Sequence, residues 1–319
     1  MKILITGIHG FIGSNLVSAL KAQHILYGLD IVSPEKDGIV QTFAWNELKD
    51  IPAIDCIIHL AGKAHDTKNQ IHAQVYFDIN TGLTQQIFDW FLKSNASKFI
   101  FFSSVKAVAD QVDGDILTED VVPAPKGSYG ESKMLAEQYI LGHLPQPATR
   151  NPQPAIFILR PCMIYGPGNK GNLNLLYQIQ QKGLPWPLGG YENKRSFCSV
   201  DNLIYTVQQL IQKDIEPGIY QVADDEALST NELIQIMDDS QNKKAKIWHV
   251  PAWLIKALAL TGDFLHLPLN SERLKKLTES YVVSNQKLKT ALGIEKMPVT
   301  AKEGLRKTLA SFEKNNSLL

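Results

Sequence analysis

The phenol of Tyr129 and the ammonium of Lys133 lie four residues apart, a spacing that puts both on one face of a helix. A chain with this many tyrosines and lysines holds about one such pair by chance, so the spacing alone carries little. The setting carries more. The stretch that opens at Tyr129 follows an apolar run, 99–102, that ends in Ser103-Ser104. If that run is a strand of a parallel sheet, hydroxyl, phenol and ammonium converge at the sheet's carboxyl edge, where ligands bind. A nearby ammonium favours phenolate, which lowers a tyrosine pKa from about 10 towards neutrality and makes it a general base. Ser103 or Ser104, with Tyr129 and Lys133, are the candidate catalytic residues.

A second constellation supplies what such a base would work beside. Gly7-Ile8-His9-Gly10-Phe11-Ile12-Gly13 stands between the apolar run Ile3-Leu4-Ile5 and an amphipathic stretch, 11–22. Three glycines between a strand and a helix allow a tight turn, close approach of backbone to a pyrophosphate, and close helix packing, with the anion at the helix N-terminus. Gly7, Gly10, Phe11, Ile12 and Gly13 are therefore candidate dinucleotide contacts. Asp30 ends the next apolar run, 25–29. A carboxylate there accepts the adenosine ribose hydroxyls and repels a 2′-phosphate, so NAD is expected over NADP. Lys36 is the nearby cation that argues the other way. An oxidised nicotinamide adds a further positive charge in favour of phenolate at Tyr129.

These residues need a scaffold, and the chain has the rhythm of one. The runs 3–5, 25–29, 56–60, 99–102 and 156–159 are continuously apolar, as in strands covered on both faces. Between them, 11–22, 81–93 and 129–141 carry apolar residues at three- and four-residue spacing, so the class is α/β with a doubly wound parallel sheet of Rossmann type. After Arg160, glycines and prolines break the rhythm. The expected division is a dinucleotide-binding domain over 1–165 and, over 166–319, a smaller C-terminal substrate domain, some of whose segments can return to the first. In the latter, Ser229-Thr230-Asn231-Glu232 is a capping-box start and Pro251-Ala252-Trp253 opens another helix.

Composition narrows the partners. Of 319 residues, 32 are Lys or Arg and 32 are Asp or Glu, and that balance removes the basic surplus a nucleic-acid binder needs. The three cysteines are far apart and have no partner at metal-ligand spacing, so no metal site is read. The most apolar later segment, 253–260, contains Lys256 and is far short of a membrane span. With no export signal in view, the cytoplasm is the expected compartment. Assembly is left open, a homodimer among the options.

The glycine turn, His59-Leu60-Ala61-Gly62, Ser103-Ser104, Tyr129 with Lys133, and Arg160-Pro161-Cys162-Met163-Ile164-Tyr165-Gly166-Pro167-Gly168 together resemble the extended short-chain dehydrogenase/reductases, the NAD-dependent nucleotide-sugar epimerase/dehydratase family. The resemblance runs from Met1 to about Leu292. It implies that Tyr129 takes a proton from a sugar hydroxyl while NAD accepts hydride from the same carbon. Ser104 would hydrogen-bond the oxygen, and Lys133 would hold the nicotinamide ribose and tune Tyr129. It further implies that Asp55 touches adenine, that Leu60, Ala61 and Gly62 line the cofactor, and that Asn80 supports the active site.

The two residues after Ser104 separate branches of that family. Its 4,6-dehydratases carry Asp-Glu there, an acid and a base for eliminating water, whereas this chain has Val105-Lys106. The resemblance therefore implies a single-carbon redox step on a sugar joined to a nucleoside diphosphate, with UDP the expected nucleotide. Asn172, Leu173 and Arg195 resemble segments that embrace the diphosphate, with Arg273 a second arginine candidate. Tyr281 is similar in place to a bulky family residue beside the sugar. Three readings remain: C4 epimerisation of a UDP-sugar, as in bacterial surface-polysaccharide synthesis; 4-ketoreduction of a UDP-4-keto-6-deoxy sugar; and a non-catalytic dinucleotide sensor.

Overall fold

The computed structural model describes residues 1–32, 34–64, 72–145, 152–169, 172–265 and 270–316. The chain begins β1 (Lys2–Thr6), α1 (Phe11–Leu20), β2 (Ile25–Leu29), β3 (Ile39–Phe43) and β4 (Cys56–His59). A long helix follows: α2 (Ala73–Tyr76) passes through a π-helical segment (Phe77–Gly82) into α3 (Leu83–Lys93). Then come β5 (Lys98–Phe102), α4 (Ser128–Gly142), β6 (Ala155–Pro161), β7 (Met163–Tyr165), α5 (Asn172–Gln181), β8 (Arg195–Ser199), α6 (Val200–Gln212) and β9 (Gly218–Val222). The chain closes with β10 (Ala227–Leu228), α7 (Thr230–Ser240), α8 (Ala252–Leu265), α9 (Ser271–Thr278), α10 (Gln286–Leu292) and α11 (Ala301–Asn316).

Seven strands form one parallel sheet in the order β3-β2-β1-β4-β5-β6-β9. Its inner strands are mostly apolar because alternate side chains meet different layers. Ile3, Ile5, Cys56, Ile58, Ile100 and Phe157 join α1, α6 and α10 on one face. Leu4, Ile57, Phe99, Phe101 and Ile158 join α3 and α4 on the other.

A three-stranded sheet, β10-β8-β7, carries the smaller unit with α5, α7, α8, α9 and α11. Ser229 and Glu232 form the expected reciprocal cap of α7. The chain does not pass once from one unit to the other. β9 pairs with β6 in the large sheet, and α10 packs against that face, while the segments between and after them belong to the small unit. No helix among the described residues is long and apolar enough to cross a membrane.

Candidate active site

In-register pairing sets Thr6, Leu29, His59 and Phe101 level across β1, β2, β4 and β5. The residues that follow, among them Gly7, Asp30 and Leu60, therefore line one carboxyl edge together. Gly7 holds φ at +72° and donates its amide to Leu29 O at 2.9 Å, which folds the turn against β2. A Cβ on Gly13 would lie 2.2 Å from the Gly7 carbonyl oxygen, so only glycine lets α1 start this close to the turn. Helix α1 starts at Phe11 with no side-chain cap and no acidic residue in its first turn. Its N-terminus keeps its partial positive charge for an anion.

Asp30 flanks this turn. Its Oδ2 accepts the His9 amide at 3.1 Å and its Oδ1 the Ile31 amide at 2.7 Å, which fixes the carboxylate at the edge of the cradle. The glycine cradle, the open helix terminus and the oriented carboxylate fit an NAD molecule. Lys36 comes near too, donating to Ser14 Oγ at 3.0 Å. Because a 2′-phosphate would meet the fixed carboxylate, NADH is expected to bind about tenfold more tightly than NADPH, or better, by calorimetric titration. The reverse order would hand the decision to Lys36.

Beneath the cradle runs a buried polar chain that sequence reasoning missed. Thr6 Oγ1 accepts the amides of Leu60 and Ala61 at 3.0 and 2.9 Å and contacts His59 Nδ1 at 2.7 Å. His59 Nε2 meets Thr84 Oγ1 at 2.9 Å, and Thr84 donates to Asn80 O at 2.6 Å. Burial, and then the charge of Lys133, hold His59 neutral by lowering its pKa well below the usual value. The chain pins the loop 60–62 beside Lys133: a Cβ on Gly62 would come within 3.1 Å of Lys133 Nζ. Polar residues at the last positions of two otherwise apolar strands were the available signal.

The three catalytic candidates do converge. Gly130 matters here, since a Cβ there would sit 2.4 Å from the Lys106 carbonyl oxygen; its absence lets α4 press onto the turn after β5. That contact brings Tyr129 beside Ser104, whose hydroxyl oxygen accepts the Lys106 amide at 3.2 Å. Buried Lys133 donates to Phe102 O at 2.8 Å. Ser103, the neighbour, serves elsewhere: its hydroxyl donates to Glu137, whose carboxylate also binds Arg160 through Nε at 3.0 Å and Nη2 at 2.5 Å. Alternation along the strand end thus turns one serine towards Tyr129 and the other to a buried ion pair.

Proton affinities depart from the expectation drawn from spacing. Burial raises the Tyr129 phenol above its ordinary value, the Ser104 hydrogen bond pulls it back, and Tyr76 raises it again. Burial also lowers Lys133 to about 8, against the opposing pull of Glu137 one helical turn away. The side chains by themselves therefore keep Tyr129 protonated, because desolvation outweighs the nearby hydrogen bond.

Asn80 sits in the π-helical segment, fully buried. Its Oδ1 accepts the Lys63 amide at 2.7 Å, and its Nδ2 donates to Lys63 O and to Ser132 Oγ at 3.1 and 2.9 Å. Ser132 in turn donates to Tyr129 O at 2.9 Å. Asn80 is a positioning residue that ties the loop after β4 to the first turn of α4.

Two expectations fail. Asp55 precedes β4 at the amino edge of the sheet, where its carboxylate accepts the Lys2 amide at 2.7 Å. The whole of β4 separates it from the cradle, so it cannot touch adenine. The turn after β3, capped by Glu47 on the Ala44 amide at 2.8 Å, is what adjoins Asp30 at the carboxyl edge. Leu173 is the second. Its side chain is 3% exposed among Tyr165, Tyr177 and Phe197, which makes it core of the small unit. Asn172 opens α5, and its side chain lies outside the described residues.

Arg195 opens β8, half-buried, paired in parallel with Tyr281. Burial lowers its pKa, and Glu279, Tyr281 and Cys162 oppose that effect. Tyr281 donates to Ala109 O at 2.7 Å and lies under Lys106 Nζ, 4.3 Å from the ring centroid. One chain of contacts therefore links Arg195 to the segment that follows Ser104. Arg273 stands exposed in the first turn of α9, its amide capped by Asn270 at 2.8 Å.

The model of the NAD dependent epimerase/dehydratase family matches residues 3–223. The chain belongs to that family. It is similar to the UDP-glucose 4-epimerase of Vibrio cholerae, 29% identical with 99% of this chain and 97% of that protein covered. A second relative, from Escherichia coli O157:H7, is an N-acetyl-alpha-D-glucosaminyl-diphospho-ditrans,octacis-undecaprenol 4-epimerase, 25% identical over 97% of this chain and 94% of that one. Among solved structures, MoeE5 in complex with UDP-glucose and NAD superposes with a TM-score of 0.76 at 20% identity, all of both chains covered. As a member of the NAD dependent epimerase/dehydratase family, the chain is an enzyme, and NAD is its cofactor.

Proposed function

We propose that this enzyme epimerises C4 of a nucleoside-diphosphate sugar, with UDP as the nucleotide, for the synthesis of surface polysaccharide. One observation carries the reading: Ser104, Tyr129 and Lys133 gather at the carboxyl edge, where Lys133 donates to Phe102 O, and the dehydratase acid–base pair is replaced by Val105-Lys106. Both named 4-epimerase relatives act on a sugar borne by a diphosphate, nucleoside-linked in one and undecaprenol-linked in the other.

The glycine turn and Asp30 would hold NAD, which would supply reversible hydride transfer at C4 and a positive ring that favours phenolate at Tyr129. Tyr129 takes the O4 proton while Ser104 donates a hydrogen bond to that oxygen; on return of the alcohol the same proton goes back from Tyr129. Lys133, held on the Phe102 carbonyl one helical turn from Tyr129, has N–H groups left for a ribose. Lys106, directed to Asp110 O at 2.7 Å and over Tyr281, cannot act as the missing carboxylate pair.

The test is product analysis by NMR after incubation with a panel of UDP-hexoses and catalytic NAD. The C4 epimer should appear with no net change at 340 nm. Steady oxidation of NADH by a UDP-4-keto sugar, with no epimer from any UDP-hexose, would move the assignment to a 4-ketoreductase. A sensor that does no chemistry would have no use for the Ser104, Tyr129 and Lys133 set.

Arg195 gives a separate expectation. As a diphosphate clamp, its replacement by alanine should weaken UDP-sugar binding by about 2–5 kcal/mol and leave NAD affinity unchanged. Titration of the variant with UDP decides it, and unchanged affinity would make Arg195 a structural partner of Glu279.

A further inference from the structure

We propose that α8 is a docking surface for an anionic lipid bilayer, on which the enzyme sits as a peripheral protein. The helix turns Ile255, Ala259 and Gly262 inward, at positions i, i+4 and i+7, onto Trp186, Leu188, Ile234 and Leu274. A surface helix with one buried stripe ordinarily carries charge on the opposite side. This one does not. Trp253, Leu260 and Phe264, 70%, 65% and 83% exposed, form an outward stripe, and Leu254, Leu258 and Leu265 form the next one. The two charged residues of α8, Lys256 and Asp263, are seven apart and share a flank. Trp248, on the segment leading into the helix, is exposed as well.

The segments that flank this apolar face are mainly basic, with Asp238 the acid beside Lys243 and Lys246. Between Lys243 and Lys276 the sequence holds seven Lys or Arg and two Asp or Glu, in a chain of zero net charge. Lys243, Lys244, Lys246, Lys256, Arg273 and Lys275 are all exposed. One of the two acids, Asp263, is occupied by the amide and hydroxyl of Ser271 at 3.0 and 2.5 Å. Leucine and phenylalanine flanked by tryptophans and rimmed by lysines match the interfacial region of a bilayer with anionic headgroups. A second copy of the chain fits less well, since a two-fold contact would set this basic rim against itself.

The placement also bears on Arg195. Helix α8 packs against α9, which leads into residues 279–281 and so to the strand pairing with Arg195. Docking therefore holds the segment that pairs with Arg195 near the membrane surface. The inference stands apart from the choice of sugar, because lipid binding can be read with no substrate present.

Flotation of the full chain with vesicles of phosphatidylglycerol and phosphatidylcholine in equal parts is the test. The protein should float with these, less with phosphatidylcholine alone, and less as salt rises. Trp253→Ser combined with Phe264→Ser should lower the partition coefficient at least about tenfold, with NADH binding and thermal midpoint as checks on folding. Lys243→Gln, Lys244→Gln and Lys246→Gln should each cost roughly fivefold on the anionic vesicles only. Failure of the wild-type chain to float with anionic vesicles would overturn the proposal. So would a change from dimer to monomer in the Trp253/Phe264 variant by sedimentation velocity, which would show that a second copy covers the face.

Discussion

With phenylalanine at position 129, turnover falls at least about 100-fold while NADH binds as it does to the wild type. The phenol stands beside Ser104, and the hydrogen-bonded chain through Ser132 and Asn80 fixes the backbone that carries it. Phenylalanine keeps the ring and the Tyr76 edge contact, whose centroids are 6.3 Å apart, so the fold has little reason to change. The loss should fall on kcat rather than KM, because the proton moves only in the transition state. A variant within tenfold of wild-type turnover would remove Tyr129 from the reaction.

The second large effect is on stability. Glu137 and Arg160 are 2% and 3% exposed, and the carboxylate receives Ser103 as well as the guanidinium. Glu137→Ala leaves Arg160 charged and buried without its carboxylate, which costs about 3–5 kcal/mol. Denaturant unfolding measures it. Replacing both partners with apolar residues, Glu137→Leu with Arg160→Met, should recover most of the loss. A single variant within about 1 kcal/mol of wild type would mean that water reaches the pair. The same substitution removes the charge that opposes the depression of Lys133, so its ammonium should be lost at lower pH.

The positions most readable in the sequence were those where one physical demand dominates. The apolar runs at 25–29 and 56–60 became β2 and β4 because both faces of the sheet are covered. The edge strand β3 was missed for the converse reason: Val40 and Gln41 are exposed, so no apolar run marks it. Strand β9 was hidden because it joins the sheet only after the chain has visited the small unit.

Within the site, residue types and spacing located Ser104, Tyr129 and Lys133, and the structure explains why Ser103 is not the partner. Asp55 misled because an acid just before a strand and one just after it look alike in a motif, yet lie at opposite edges of the sheet. The Thr6, His59 and Thr84 chain was illegible since its members are 53 and 25 residues apart and meet only through strand register.

The late arrival of β9 bears on how the protein is made. Strand β6 ends at Pro161 and its neighbour starts at Gly218, so at ordinary synthesis rates the ribosome needs about 3 to 11 seconds to supply it. During that interval the outer backbone of β6 lacks its ladder, an open template for another nascent chain. The intervening residues include β7, β8 and α6, and α6 packs on α1, so the sheet gains a cover before it gains its last strand. Cutting the gene at the apparent domain boundary would make that exposure permanent, because a fragment of residues 1–165 lacks the strand that pairs with β6.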